Sequence, residues 1–176
     1  MVPRPQRIIY CFSIWQKTFD ELLLNIPSIE FKQGLIDVQE INKDIINLVI
    51  IDDLMNELKD DATLSEFFTK GSHHRNMSVI FMTQNLFVQG KQMRSVSLNA
   101  HYLIVFKNPR DKAQFACLSR QMYPSKQKFL IECFENATQG PYGYIFLDFK
   151  QTTKDELRVR TQIFPDEENI VYVIKQ

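Results

Sequence analysis

The feature that most constrains the fold of this chain is a run of four apolar residues that ends in two adjacent carboxylates. Asn47 to Leu54 reads Asn-Leu-Val-Ile-Ile-Asp-Asp-Leu. A strand that is apolar on both faces is typical of a parallel sheet buried between two layers of helices. In such proteins ligands bind at the carboxyl edge of the sheet, where Asp52 and Asp53 would stand. The run therefore predicts an α/β protein with two acids at the edge of its sheet.

The same run has the pattern of a Walker B motif, but the Walker A motif that normally accompanies it is absent from the sequence. A Walker A phosphate loop, G-x-x-x-x-G-K-[ST], needs two glycines five positions apart. No two glycines of the chain have that spacing, since they stand at Gly34, Gly71, Gly90, Gly140 and Gly143. The acids thus lack the phosphate-binding loop with which such acids usually work.

Composition places the chain among globular proteins. It has 176 residues, of which 44% are hydrophobic and 12% aromatic, enough for one domain with a buried core. No apolar run reaches the roughly 18 residues of a membrane-spanning helix, and the N-terminus lacks the apolar centre of a secretory signal. Three widely spaced cysteines, Cys11, Cys117 and Cys133, favour reduced thiols over disulfides or a zinc site. We expect one intracellular domain over 1–176.

The net charge of zero conceals a strong polarity along the chain. From Asp37 to Glu66 there are nine acids against two bases, and from Lys70 to Ile131 there are ten bases against the single acid Asp111. Such an imbalance suits a surface that faces phosphates or the acidic face of a neighbouring subunit. It suits equally well two solvated faces that attract each other within one molecule.

The pattern of apolar residues predicts the remaining elements. Strands are predicted over Arg7–Ile14, Glu30–Leu35, Asn47–Asp52, Ser78–Gln84, His101–Phe106, Tyr144–Phe149, Arg158–Phe164 and Ile170–Ile174. Helices are predicted over Lys17–Leu24, Val38–Ile45, Asp61–Thr69, Arg110–Tyr123 and Ser125–Asn136. The alternation in the first two thirds indicates a doubly wound α/β fold, a mainly parallel sheet with helices on both faces. The last third adds antiparallel strands to one edge of that sheet.

Asp52 and Asp53 are the candidate catalytic and metal-binding residues. Neighbouring side chains on a strand point to opposite faces, so only the end of the strand lets both acids reach one site. In a nucleotide hydrolase the first acid holds Mg²⁺, a hard ion that prefers oxygen ligands, and the second orients or deprotonates the attacking water. The alternative is a pair of acids that cap the next turn through backbone N–H groups.

Two further residues are candidates for the same site. Gln84 ends the next apolar run, where its amide can sense a terminal phosphate or position water, or can simply be a polar loop residue. Arg75 precedes that run, where it can act as an arginine finger on a neighbouring subunit's phosphate or be an ordinary surface arginine.

The order of these residues resembles the FtsK/HerA-type DNA-pumping ATPases, above all the genome-packaging ATPases of Maverick/Polinton elements and related large DNA viruses. The likeness rests on Leu-Val-Ile-Ile-Asp-Asp-Leu at 48–54 and on His-His-Arg-Asn-Met-Ser-Val-Ile-Phe-Met-Thr-Gln-Asn-Leu-Phe at 73–87. It continues through Ser-Leu-Asn-Ala-His-Tyr at 97–102 and Asn-Pro-Arg-Asp at 108–111. It covers roughly residues 5 to 150, and its specificity lies in the joint order of these segments.

The resemblance implies a P-loop NTPase fold, hydrolysis of ATP with Mg²⁺, a homo-oligomeric ring and translocation of double-stranded DNA. By position, Asp52 resembles the metal-associated Walker B acid, Asp53 the catalytic acid and Gln84 the polar sensor, with Arg75 as a candidate arginine finger. It also implies a location in the nucleus, a viral factory or the virion. Related motors often have Glu where Asp53 stands, and its shorter side chain brings the activation of water into question.

The resemblance further implies that the chain is the C-terminal part of such a motor, without the first strand and the phosphate loop. The missing strand would lie in the middle of the sheet and leave two neighbouring strands with unpaired edges. We therefore expect the chain alone to bind ATP weakly or not at all and to aggregate. A non-catalytic DNA-binding or protein-binding module that keeps the ATPase fold is the alternative, and a metal-dependent nuclease would need further acids.

Overall fold

Two sheets organise the structure, a computed structural model that describes residues 4–54, 62–71, 75–87 and 91–175. The first sheet has four parallel strands and the second has four antiparallel strands. They belong to two compact units, Met1–Asn99 and Ala100–Gln176. The prediction of one domain over 1–176 stays a prediction, and each unit is described by itself below.

The first unit contains the parallel sheet in the order β2-β1-β3-β4. Its strands are β1 (Arg7–Phe12), β2 (Ile29–Gln33), β3 (Asn47–Asp52) and β4 (Met77–Met82). Its helices are α1 (Thr18–Asn25), α2 (Ala62–Glu66, continued by a π-helical turn over Phe67–Gly71) and α3 (Lys91–Asn99). The predicted alternation of strands and helices around a parallel sheet is confirmed for this unit.

The sheet of the first unit has a packed core on each of its two faces, to which successive side chains of a strand point in turn. On one face Cys11 and Ile51 pack with Phe67 of the π-helical turn and Val96 of α3. On the other face the core is formed largely by aromatic and aliphatic side chains of β1, α1 and β2 (Tyr10, Phe12, Phe19, Ile29). The expectation of helices on both faces therefore holds here.

One helix prediction in this unit was too long. The structure has only a short 3₁₀ helix, Val38–Glu40, where a helix over Val38–Ile45 was predicted. Asp37 begins it with a capping box, because its side chain accepts from the Gln39 N–H while the Glu40 carboxylate accepts from the Asp37 N–H. Asn42 then accepts from the Asp44 N–H, a side-chain turn that competes with further helix.

The second unit is built on an antiparallel sheet in the order β5-β6-β7-β8. Its strands are β5 (Tyr102–Phe106), β6 (Tyr144–Asp148), β7 (Val159–Thr161) and β8 (Ile170–Val171). Its helices are α4 (Lys112–Met122) and α5 (Gln127–Ala137), with a 3₁₀ turn over Asp155–Leu157. The Phe115 and Phe134 rings stack at 3.9 Å between α4 and α5, and α5 packs on the sheet.

The placement of β5 corrects the sequence analysis. His101–Phe106 was predicted as a further strand of the parallel sheet, with the C-terminal strands added to that sheet's edge. Instead β5 pairs antiparallel with β6, from Tyr102 opposite Asp148 to Phe106 opposite Tyr144. An apolar run of five or six residues does not encode the direction of its partner, so this pairing is a tertiary choice.

The three cysteines are free thiols, with Cys11 and Cys133 buried and Cys117 partly exposed. Burial raises the pKa of Cys133 to about 11, and it also raises the pKa of Cys11. Among the helices of the described residues, none has the length and apolar character required to cross a membrane.

The central position of β3 predicts where the first unit is most sensitive to substitution. Ile51→Ala truncates a fully buried side chain of β3, the strand between β1 and β4, and we expect it to lower the free energy of unfolding by about 2–5 kcal/mol. Leu24→Ala, at an 85% exposed position of α1, is the control and should change it by less than about 0.5 kcal/mol. Chemical denaturation of both variants measures the difference, and equal losses would contradict this placement of β3.

Candidate functional site

The carboxyl edge of the parallel sheet brings the predicted acids to the end of its central strands. Hydrogen bonding in parallel register places Phe12, Asp52 and Met82 in one row across β1, β3 and β4. The loops that follow these three strands therefore leave the sheet side by side. This is the edge at which open α/β sheets bind ligands.

An open depression of about 280 Å³, called the carboxyl-edge cavity below, lies at this edge. It is lined by side chains from the ends of β3 and β4 and from the loops after β1, β3 and β4 (Gln16, Asp52, Asp53, Met82, Thr83, Gln84). The predicted neighbourhood of Asp52, Asp53 and Gln84 is thus present in one concave site. The roles assigned to the three residues stay predictions.

Asp53 has a backbone conformation that few residues adopt. Its φ is 52°, in the left-handed region, which is energetically unfavourable for residues other than Gly, Asn and Asp. This turn lets the chain leave β3 so that Asp53 is exposed beside the cavity while Leu54, the next residue, is fully buried in the core. It is also the reason why both adjacent acids line the same cavity, which a continued strand would prevent.

Asp52 is held by a tyrosine that the sequence analysis did not select. The Tyr10 hydroxyl donates to Asp52 Oδ2 at 2.9 Å. Burial raises the pKa of Tyr10 well above its ordinary value, and the hydrogen bond to the Asp52 carboxylate raises it further. Tyr10 is therefore a protonated donor throughout the physiological pH range.

Gln16 was also missed. It stands in the loop after β1 and lines the cavity. It is close to the acids because β1 and β3 are neighbouring strands. The one sequence signal for Gln16 was its place a few residues after a predicted strand. Tyr10 carried no such signal, since it lies inside the predicted strand and only the pairing of β1 with β3 brings it near Asp52.

Thr83 and Gln84 follow β4 directly. The Thr83 hydroxyl donates to the carbonyl of Asn85 at 3.1 Å and accepts from the Asn85 N–H at 3.2 Å. This local turn ends β4 and leaves Gln84 exposed at the cavity. Its amide has both a donor and an acceptor, as the sensor prediction requires.

Arg75 lies at the amino-terminal ends of the parallel strands, opposite the carboxyl ends where the acids lie. It precedes β4, which at about 3.3 Å per residue is about 17 Å long, whereas Gln84 follows β4. The Arg75 guanidinium donates to the carbonyls of Gln39 and Ile41 at 3.4 and 3.3 Å. It borders a separate depression of about 420 Å³ with Lys43 and Asp44. Arg75 is therefore apart from the acids of its own chain, and only its action on a neighbouring subunit stays a prediction.

The side chains at the cavity can be compared with the ligands that a metal ion requires. Within the described ranges no group of three or more His, Cys, Asp or Glu side chains is arranged to hold a metal. Two carboxylates at a polar cavity are the usual protein share for Mg²⁺, which takes its other ligands from water and phosphate oxygens. The residues present fit that ion, with water completing its shell in the chain alone and phosphate oxygens doing so where a nucleotide is bound.

Comparison with known proteins yielded no relative. The chain matched no protein-family model, no curated protein and no solved structure.

The left-handed backbone of Asp53 predicts how its substitutions affect stability. Asp53→Asn and Asp53→Gly should be tolerated, whereas Asp53→Ala should lower the free energy of unfolding by about 1 kcal/mol relative to Asp53→Asn. Denaturant unfolding of the three variants measures this. An alanine variant as stable as the asparagine variant would contradict the turn, and Asp53→Asn is the better choice for removing the charge without affecting the fold.

Proposed function

We propose that the carboxyl-edge cavity is the Walker B half of a nucleotide site in an ATP-driven double-stranded DNA packaging or translocation motor of the FtsK/HerA type. The observation that carries the proposal is the convergence of Asp52, Asp53 and Gln84 on one cavity at the ends of two adjacent parallel strands. A single acid-tipped strand is a common pattern. Two acids and an amide at neighbouring strand ends are a more specific arrangement.

The unpaired outer edge of β4 leaves room for the phosphate loop that this proposal requires. β4 pairs only with β3, so its second edge has no partner strand among the described residues. Ile80 and Met82 point to one face of β4 and are 43% and 37% exposed, whereas helices normally cover both faces of a parallel sheet. A further parallel strand on this edge would end beside the cavity, where a phosphate loop after it would meet Gln84 and the acids. We infer that a P-loop unit of strand, loop and helix occupies this edge in the active motor.

In this proposal Asp52 and the nucleotide phosphates would hold Mg²⁺, which neutralises charge on the transferred phosphoryl group. Asp53 would accept a proton from, or orient, the attacking water, and Gln84 would hold that water or contact the terminal phosphate. Arg75 would act in trans, because it lies at the other edge of its own sheet. These are the roles that the resemblance assigns to the same four residues.

In this proposal the basic part of the chain would bind DNA. Lys107, Arg110 and Lys112 are exposed around the end of β5 and the start of α4. Their cluster suits the phosphate backbone, whose binding does not require base recognition. A homo-oligomeric ring, and a location in the nucleus, a viral factory or the virion, belong to the same proposal.

A second function is a non-catalytic module that keeps the fold and binds DNA or docks on an intact motor. It is favoured by the absence of a G-x-x-x-x-G-K-[ST] motif from the 176 residues. The two functions differ in one respect that can be read directly. The motor requires a strand, phosphate loop and helix supplied from outside these 176 residues, and the module does not.

The first prediction from this proposal concerns ATP. The chain alone should show no ATP binding at micromolar concentrations, since the backbone nest and lysine of a phosphate loop are lacking. A protein in which this chain is joined to a P-loop segment should bind Mg-ATP and hydrolyse it, and Asp53→Asn in that joined protein should retain binding but lose most of the hydrolysis. Calorimetry and phosphate release measure the two properties. Micromolar Mg-ATP affinity of the monomeric chain alone would contradict the proposal.

The second prediction concerns DNA. Charge reversal at Lys107, Arg110 or Lys112 should weaken binding to double-stranded DNA, and each phosphate that the variant no longer neutralises should reduce the salt slope of log K by about 0.9. Lys154→Glu, an exposed lysine of the same unit, is the matched control for net charge. Fluorescence anisotropy over a salt series measures the slope. Binding that does not depend on salt, or an equal effect of Lys154→Glu, would show that this cluster does not face phosphates.

A further inference from the structure

The hydrogen bond between Tyr10 and Asp52 joins a core aromatic residue to the proposed metal-associated acid. In the register of the sheet Tyr10 stands opposite Ile50, so Asp52 lies two residues further along the neighbouring strand on the same face. A tyrosine side chain is long enough to span this diagonal, and its hydroxyl donates to Oδ2 at 2.9 Å. A shorter side chain at this position would not reach the carboxylate.

The Tyr10 ring is itself held in place. It is 8% exposed and packs against Phe19 of α1 and Phe31 of β2, with ring centroids 5.0 and 5.1 Å apart. Phe12 and Trp15 extend this cluster along the same face. The donor therefore comes from a packed part of the core, while the acceptor stands at the rim of the cavity.

We propose that Tyr10 is a positioning residue that anchors one oxygen of Asp52 and leaves the other oxygen, Oδ1, to serve a divalent cation. This inference rests on the proposed function, since it concerns the same site. A carboxylate held by one hydrogen bond loses less rotational freedom when it takes up a cation, and such outer partners typically contribute 10-fold to 100-fold to metal affinity. Tyr10 would thus prepare the acid for the metal without touching the metal.

The test uses Mn²⁺ as a probe of the divalent cation site in the purified 176-residue chain. Tyr10→Phe removes only the hydroxyl, and we expect it to weaken Mn²⁺ binding about tenfold, whereas Asp52→Asn should abolish it. Tyr144→Phe is the matched control, because the Tyr144 hydroxyl also donates to a carboxylate, that of Glu167 at 2.6 Å, in the second unit. Loss of the free Mn²⁺ signal in electron paramagnetic resonance measures the affinity of each protein.

The outcomes separate this inference from the function on which it rests. If Asp52→Asn abolishes binding but Tyr10→Phe binds as the unmodified chain does, Tyr10 is only a core residue and the inference is overturned alone. If Asp52→Asn binds Mn²⁺ normally, or the unmodified chain does not bind it at millimolar concentrations, Asp52 does not hold the cation. The metal role in the proposed function and the inference about Tyr10 are then both overturned.

A purely structural role of Tyr10 would lower the unfolding temperature but leave the affinity of the folded protein unchanged. Binding is therefore measured well below the unfolding temperature of each variant. If Tyr10→Phe does not fold in buffer, the titrations of all four proteins are repeated in trimethylamine N-oxide, which favours the folded chain. Unchanged affinity under those conditions would equally overturn the inference.

Discussion

The parallel pairing of β3 between β1 and β4 is the constraint on which the first unit depends. β3 has a hydrogen-bonded strand on each side, and its residues Val49 and Ile51 are fully buried. An ionised carboxylate in that interior would be very costly, so acids are tolerated only where the strand ends. The same pairing places the ends of β1 and β4 beside them. The cavity is thus a consequence of how the core is built.

The site and the core are also linked through the aromatic cluster on the other face of the sheet. Tyr10 contributes its ring to that cluster and its hydroxyl to Asp52. A substitution in the cluster can therefore alter the orientation of a site residue while the fold persists. Stability and function share residues here, and variants at Tyr10 have to be assessed for both.

The separation of the chain into two sheets shows where pattern analysis reached its limit. Along β5, Leu103 and Val105 are the more buried residues, while Tyr102, Ile104 and Phe106 are exposed to 42–57%. Because the exposed residues are as apolar as the buried ones, the alternation expected of an antiparallel strand is hidden. From its sequence, β5 therefore resembles a strand that is buried on both faces. In the structure β6, and not β5, is the strand of that sheet that is buried throughout.

The sequence by itself determined the local features: an acid-tipped apolar strand, most of the strands and helices within a few residues, and polar residues at the ends of β3 and β4. These depend on periodicity and on the cost of burying charge, which act over a few neighbours. Only the tertiary structure decided that β5 joins an antiparallel sheet, that Tyr10 and Gln16 belong with the acids, and that Arg75 lies at the opposite edge. Those outcomes depend on which strands become neighbours, a choice made by pairing residues that are distant in sequence.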